Sequence, residues 1–139
     1  MESSEKAEWI LRIGIFGSFL GHGVFALGGT PIGAALGLKL KDAWVGYIAA
    51  AGIPTATAQQ LLPLIGAFDI LVAIMALVYP LRVVLIWASF WGFATALIRP
   101  VSGEPIWDFV ERWANWAAPL ALLYLHGLPK NLKDLFKVK

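Results

Sequence analysis

Two ionisable side chains lie within segments that are otherwise almost wholly apolar. His22 stands between two glycines in the stretch GSFLGHGVFALGG, and Asp69 stands in LIGAFDILVAIM. In lipid an ionisable group at this depth is costly unless it is paired or lines a site, so it is a candidate for function. The sequence therefore predicts that both residues serve a site, or that they hydrogen bond to each other across two helices.

A third segment carries polar and aromatic residues at steps of four. Residues at this spacing share one face of a helix, so they form a single stripe that ends in a fixed positive charge at Arg99. The indole of Trp91 would offer a flat surface beside any ligand, although core packing is the more common use of such a stripe. The stripe consists of Trp87, Trp91, Thr95 and Arg99.

A fourth segment, PIWDFVERWANWAAP, begins with two polar faces. Asp108 and Arg112 have the i, i+4 spacing of an ion pair with the acid first, and Glu111 and Asn115 form the second face. Pro119 has no N–H and leaves the carbonyl of Asn115 without its helical partner, which predicts a kink. Polar groups from four helices would then meet at one level and form a pocket.

The pattern predicts six site residues and no metal site. Asp69 and Glu111 are the candidates for proton exchange. The candidates for holding a cofactor are His22, Trp91, Arg99 and Asn115. The chain has no cysteine, so thiol chemistry is excluded, and a single histidine could at most be a lone axial ligand to haem.

The elements that position these residues are membrane helices. Of the 139 residues 59% are hydrophobic and 14% are charged, which is typical of a membrane protein. Four apolar segments each have about the 20 residues that cross a bilayer, so we predict an all-α membrane protein, a single domain with a bundle of four transmembrane helices. The segments are residues 9–27, 61–79, 81–98 and 106–125.

The first loop contains a further predicted helix. Asp42 would cap a short helix over residues 43–51, where Trp44, Tyr47, Ile48 and Ala51 share one face. Such a face is typical of a helix that lies in the membrane interface. This interfacial helix would cover the extracytoplasmic end of the bundle.

The first helix has small residues at spacings of three and four: Gly14, Gly17, Ser18 and Gly21. Small residues let membrane helices approach closely, so they predict a packed face. The same face would suit contact with another membrane subunit or with a second copy of the chain.

Basic residues set the predicted orientation. Seven lysines and arginines lie on the side of the termini and four on the other side, so both termini are predicted to be cytoplasmic. The basic cytoplasmic tail, residues 128–139, is interpreted as a membrane-surface anchor. No nucleic-acid partner is predicted.

Several short motifs resemble the DoxX-like family of small membrane proteins over about residues 12–98. They are Arg12 before the His22–Gly23 pair, the segment GYIAAAGIP, Gly66 three residues before Asp69, and the turn YPLR. The family usually has Glu where this chain has Asp69 and a Lys after His-Gly that is absent here, and the fourth helix does not map. The resemblance implies a four-helix bundle and membrane redox chemistry, because relatives are linked to a thiosulfate to quinone oxidoreductase and to membrane oxidoreductase assemblies.

The resemblance and the predicted pocket together favour an integral subunit of a quinone-linked redox system in the cytoplasmic membrane of a prokaryote. His22 and Asn115 would hydrogen bond to a quinone, Asp69 or Glu111 would exchange protons, and Trp91 would stack on the ring. Two alternatives remain open at this point. One is a non-catalytic assembly or stabilising subunit of a larger membrane complex, and the other is a protein that binds haem or another pigment through His22.

Overall fold

The computed structural model describes residues 2–139, and within that range the chain is helical with no β-strand. Seven α-helices of 4 to 24 residues are followed by one 3-10 turn near the C-terminus, Leu132–Phe136. The helices are α1 Ser3–Ala26, α2 Pro31–Ala35, α3 Asp42–Ala50, α4 Thr55–Val78, α5 Arg82–Val101, α6 Trp107–Val110 and α7 Trp113–His126.

Three of these helices are long and apolar enough to cross a membrane. They are α1 and α4 with 24 residues each and α5 with 20 residues. At 1.5 Å per residue these helices measure about 30 to 36 Å, which matches the hydrocarbon thickness of a bilayer. The prediction of an all-helical membrane protein is confirmed at this level.

The fourth predicted segment is not one continuous helix. The helical path breaks between α6 and α7, and Arg112 precedes α7 with φ −101° and ψ 11°. The predicted Asp108–Arg112 side-chain pair is wrong, because the guanidinium donates to the backbone carbonyl of Asp108 at 2.7 Å and pairs with the carboxylate of Glu111. The hydrogen bond from Arg112 satisfies the carbonyl of Asp108 at the break. Helix α7, which follows the break, has only 14 residues.

Glycine allows the closest contacts between the long helices. A Cβ atom on Gly23 would lie 2.7 Å from the carbonyl oxygen of Gly66, and one on Gly92 would lie 2.6 Å from the carbonyl oxygen of Asn115. Backbones approach at these points because nothing larger than hydrogen stands between them. The packed pairs are therefore α1 with α4 and α5 with α7.

The prediction of a packed face of small residues on α1 is wrong for contacts within the chain. At Gly14, Gly17 and Gly21 an added Cβ would meet no described atom of residues 2–139 within 4 Å. Of the small residues predicted there, Ser18 does make an internal contact, from its hydroxyl to the amide oxygen of Asn115 at 3.3 Å. The glycine that packs is Gly23, one residue beyond His22.

Both termini lie at one end of the bundle, which we call the terminal end. Glu8 near the start of α1 pairs with Lys139 at 2.8 Å and lies 3.1 Å from the ring of His126 at the end of α7. Arg12 donates to the carbonyl of Val78 at the end of α4. The opposite end, which holds α2, α3 and the connection from α5 to α6, is called the loop end.

An apolar core fills the terminal half of the bundle. Its buried residues come from α1, α4, α5 and α7 and include Phe19, Val72, Leu85 and Leu122. A smaller cluster at the loop end joins Ala26, Val45, Ala58 and Leu62. Along α1 and α4, His22 and Asp69 lie between the residues of these two clusters.

Candidate ligand-binding cavity

A cavity of about 310 Å³ lies at the loop end between α1, α3, α4 and α5. Most of its wall is aliphatic or aromatic, with polar side chains from several elements. A pocket with apolar walls and a few placed polar groups is the usual form of a small-molecule site. The lining residues that carry the argument are His22, Tyr47, Asp69, Trp91, Arg99 and Arg112.

Helix α3 forms one wall of the cavity. Trp44, Tyr47, Ile48 and Ala51 all line it, so the face that the sequence predicted is present and is turned to the cavity. Asp42 is the first residue of the helix and makes no capping bond, so the predicted cap is wrong by one position. The part of the cavity wall that α3 supplies is therefore aromatic and aliphatic.

Asp69 is the buried acid of the cavity. The residue is 4% exposed, and its Oδ1 atom has no hydrogen-bond partner in residues 2–139. The side chain of Trp91 lies beside the carboxyl and lines the same cavity. The predicted hydrogen bond between Asp69 and His22 is not formed within the part of the chain that the structure describes. A carboxyl oxygen is thus left without a partner beside an open space.

His22 and Asp69 lie at about the same level of the bundle. The backbone of α1 at Gly23 is in close contact with both Gly66 and Ile70 of α4. Asp69 lies between those two positions in the chain, and His22 directly precedes Gly23. Both polar side chains line the same cavity, so α1 and α4 present them to one space.

The surroundings of His22 are aromatic and electropositive. Its ring meets the ring of Trp44 edge to face, with centroids 5.8 Å apart and planes at 84°. The positive charges of Arg99, Arg112 and Lys41 all act on it. Arg99 and Arg112 also line the cavity, so the loop end offers guanidinium N–H donors to a ligand.

The tryptophan stripe of α5 is present as a stacked pair. Trp87 and Trp91 lie 5.6 Å apart with their planes at 12°, and Trp91 lines the cavity. The hydroxyl of Thr95 donates to the carbonyl of Trp91 at 2.8 Å, so this group is used within the helix. The indole of Trp91 therefore provides a flat surface on the α5 side of the cavity.

Arg99 joins α5 to α3 and to the loop that follows α5. Its Nη1 atom donates to the hydroxyl of Tyr47 at 2.9 Å and lies 3.6 Å from the carboxylate of Glu104, and the Tyr47 hydroxyl in turn donates to Glu104. Burial raises the pKa of Tyr47, while the hydrogen bond from Tyr47 lowers the pKa of Glu104. Arg99 Nε is buried and has no partner among the described residues.

Two of the six predicted site residues lie outside the cavity lining. Asn115 accepts the hydroxyl of Ser18 between α1 and α7, and Glu111 is exposed and paired with Arg112. The structure brings the other four together, namely His22, Asp69, Trp91 and Arg99. The prediction placed Glu111 and Asn115 on the inner face of one continuous fourth helix. The break at Arg112 changes the direction in which these side chains point.

Of the six lining residues named above, Tyr47 and Arg112 were not predicted as site residues. Tyr47 was assigned only to the face of the loop helix, and Arg112 only to an ion pair. The signal for Tyr47 was its place on that aromatic face, four residues before Ala51. Arg112 could have been found from its position at the loop end, where a second cation would stand near Arg99.

Comparison with protein-family models, with curated proteins and with solved structures found no match to this chain. The cavity itself is therefore the basis for assigning a function. In residues 2–139 no group of three or more His, Asp or Glu side chains is placed to hold a metal ion.

Proposed function

We propose that the chain is a DoxX-like subunit of a quinone-linked redox system in the cytoplasmic membrane of a prokaryote. In this proposal α6 and α7 together complete the fourth crossing after α1, α4 and α5. Helix α3 lies in the outer interface, and both termini are cytoplasmic, as the distribution of lysine and arginine favours. The cavity then lies beneath the outer surface of the membrane.

The observation that carries the proposal is a pair of unsatisfied polar atoms on one cavity. Asp69 Oδ1 and Arg99 Nε are both buried, and neither has a hydrogen-bond partner in the described chain. A buried polar group without a partner costs about 1 to 3 kcal/mol, so each one calls for a partner from outside the chain, such as a ligand or a water molecule. The other such atoms of the described chain, on Trp87, Trp116 and His126, do not line the cavity. A ligand that bound in the cavity would relieve both costs.

The two atoms are not adjacent, which limits how a ligand is placed. Asp69 lies beside Trp91 of α5. Arg99 follows Trp91 by eight residues on the same helix, so the two positions are about 12 Å apart along its axis. A flat ring would lie at the level of Asp69, Trp91 and His22. Its polar substituents, or its second oxygen, would point toward the cation at the loop end.

The side chains fit a quinone. Its ring matches the indole of Trp91, its carbonyl oxygens are acceptors for N–H and O–H donors, and the apolar walls suit its substituents. When bound, a quinone would supply two-electron redox chemistry. A volume of about 310 Å³ is at the lower limit of ligand pockets and suits one ring system better than a porphyrin.

The chain's own residues would do three things. Asp69 would hold or release a proton at its carboxyl, His22 would donate a hydrogen bond through a ring nitrogen, and Trp91 would orient the ring by stacking. Arg99 and Arg112 would offer N–H donors to an electron-rich oxygen at the loop end, while Glu104 and Glu111 balance their charges. The apolar core of the terminal half would separate the site from the opposite face of the membrane.

The test is a binding titration of the purified protein in nanodiscs with a short-chain benzoquinone, followed by tryptophan fluorescence. Asp69→Leu removes the carboxyl, and we expect its affinity to fall about tenfold or more because a hydrogen bond to the ligand is lost. His22→Ala should weaken binding in the same direction. Glu5→Gln is the control, since Glu5 lies at the terminal end and does not line the cavity, and it should bind as the unmodified protein does.

Equal affinity in the unmodified protein and in Asp69→Leu would contradict the proposal. An absorption spectrum of the purified protein gives an independent result. A Soret band would assign haem, held by His22, in place of quinone.

A non-catalytic subunit of a larger membrane complex is the second candidate. The observation in its favour is the open glycine face of α1, where Gly14, Gly17 and Gly21 have space for a neighbouring helix. Purification in mild detergent would distinguish the two functions. A protein that carries no quinone and is isolated only with other membrane subunits, or as a homo-oligomer, would favour this second function.

A further inference from the structure

Three exposed aromatic side chains mark one level at the terminal end. Trp9 of α1, Tyr79 after α4 and Tyr124 of α7 are 44%, 56% and 63% exposed. The contacts of Glu8 with His126 and of Arg12 with Val78 bring the three chain positions to about the same height. Exposed Trp and Tyr collect where the hydrocarbon meets the lipid head groups. This aromatic level therefore gives the position of the membrane surface.

The C-terminal tail, residues 128–139, begins at this level and is held against the bundle. Arg82 at the start of α5 donates through its guanidinium to the carbonyls of Gly127 at 2.6 Å and His126 at 2.8 Å. Its backbone N–H donates to the carbonyl of Lys137 at 3.1 Å. Lys139 closes the contact through its ion pair with Glu8. The tail therefore stays beside the membrane surface.

The four lysines of the tail divide into two kinds. Lys137 pairs with Asp134 at 2.8 Å, and Lys139 pairs with Glu8. Lys130 and Lys133 are exposed and form no ion pair with any described residue of the chain. Two cations are thus free to bind a partner outside the protein.

Apolar side chains accompany these two cations. Leu132, between Lys130 and Lys133, is 79% exposed, and Phe136 is 67% exposed. Lysines beside exposed Leu and Phe are the composition of segments that lie in the interface of a membrane with anionic lipid. Because the tail lies next to the aromatic level, we expect these side chains to contact lipid and not water alone.

We infer that the tail is a binding site for anionic phospholipid, with Lys130 and Lys133 holding the head-group phosphate and Leu132 and Phe136 entering the interface. The attraction of a lysine near an anionic surface corresponds to about a fivefold gain in affinity, so the two together give about 25-fold. The site is at the opposite end from the cavity. It does not depend on the proposed quinone function.

The experiment uses the absence of cysteine from the sequence. Leu132→Cys carries an environment-sensitive fluorophore, and the full-length protein is placed in nanodiscs of phosphatidylcholine with or without phosphatidylglycerol. We expect a blue-shifted emission when phosphatidylglycerol is present, and a return toward the neutral-lipid spectrum at high salt, because salt screens exposed charges. A label on Ser102→Cys at the loop end is the control for general effects of the lipid.

A second set of variants assigns the shift to the two lysines. Lys130→Gln together with Lys133→Gln should abolish it, whereas Lys137→Gln, whose ammonium already pairs with Asp134, should leave most of it. The inference is overturned if the emission is the same in both lipids, or if the shift survives the double substitution. It is also overturned if inorganic phosphate in neutral nanodiscs produces the same shift, since the site would then be one for a free anion.

Discussion

The guanidinium of Arg99 donates a 2.9 Å hydrogen bond to the hydroxyl of Tyr47, which fastens α3 to the end of α5. The Tyr47 hydroxyl also donates to Glu104, and the ring of Tyr47 lies 4.9 Å from the guanidinium carbon. Helix α3 has only nine residues and would be marginal alone. These contacts therefore fix one wall of the cavity.

Tyr47→Phe should loosen that wall. The substitution keeps the ring in the cavity but removes the hydroxyl from Arg99 and Glu104, so we expect a loss of about 1 to 2 kcal/mol in the free energy of unfolding. Limited proteolysis between α1 and α4 should become faster, which measures the release of α3. Tyr124→Phe, at an exposed position of the terminal end, is the matched control and should leave the digestion rate unchanged.

The cluster of Tyr47, Arg99 and Glu104 makes the stability of the fold depend on pH. The hydrogen bond from Tyr47 lowers the pKa of Glu104 in the folded protein, below the value of about 4.3 that an unfolded glutamate has. The stabilisation is therefore present above about pH 4.3 and is lost as pH falls through the lowered folded pKa. Thermal unfolding across this range should show a smaller acid dependence in Glu104→Gln. An unchanged acid dependence in Glu104→Gln would contradict the role of this carboxylate.

Asp69→Leu should stabilise the protein while it removes ligand binding. The carboxyl oxygen that has no partner in residues 2–139 is replaced by an apolar side chain of similar size, so the cost of about 1 to 3 kcal/mol disappears. We expect a higher midpoint of thermal unfolding in detergent without ligand. A lower midpoint would mean that Asp69 is satisfied within the fold, and its role in a site would be withdrawn.

Helix contact through glycine makes a further prediction. Gly66→Ala places a Cβ about 2.6 Å from the carbonyl oxygen of Gly23, so α1 and α4 must separate. We expect destabilisation of about 1 to 3 kcal/mol, which is typical of overpacking. Gly17→Ala is the matched control on α1, because its Cβ meets open space, and it should be neutral or stabilising. Equal losses in the two variants would show that α1 packs differently.

The helical class and much of the cavity could be predicted from the sequence because they depend on short-range patterns. Runs of apolar residues gave the three long helices, and steps of four placed Trp91 and Arg99 on one face of α5. The level shared by His22 and Asp69 followed from the length of their helices. Each of these inferences needs only the regular geometry of a helix.

The errors arose where the chain departs from that geometry. Glu111 and Asn115 were placed by assuming one straight fourth helix, and the break before Trp113 turns them away from the cavity. Spacing alone predicted a packed face at Gly14, Gly17 and Gly21, whereas tertiary packing brings Gly23 against α4. Tyr47 was missed as a site residue because its partner Arg99 is 52 residues away in the chain.

The most direct test of the central claim is photolabelling with a short-chain azidoquinone in nanodiscs, followed by peptide mapping of the cross-link. The account predicts labels on α4 and α5 at positions that line the cavity, near Asp69 and Trp91, and competition by unlabelled quinone. Labels confined to exposed side chains outside the cavity, such as Ile74 and Phe90, with no competition, would contradict it.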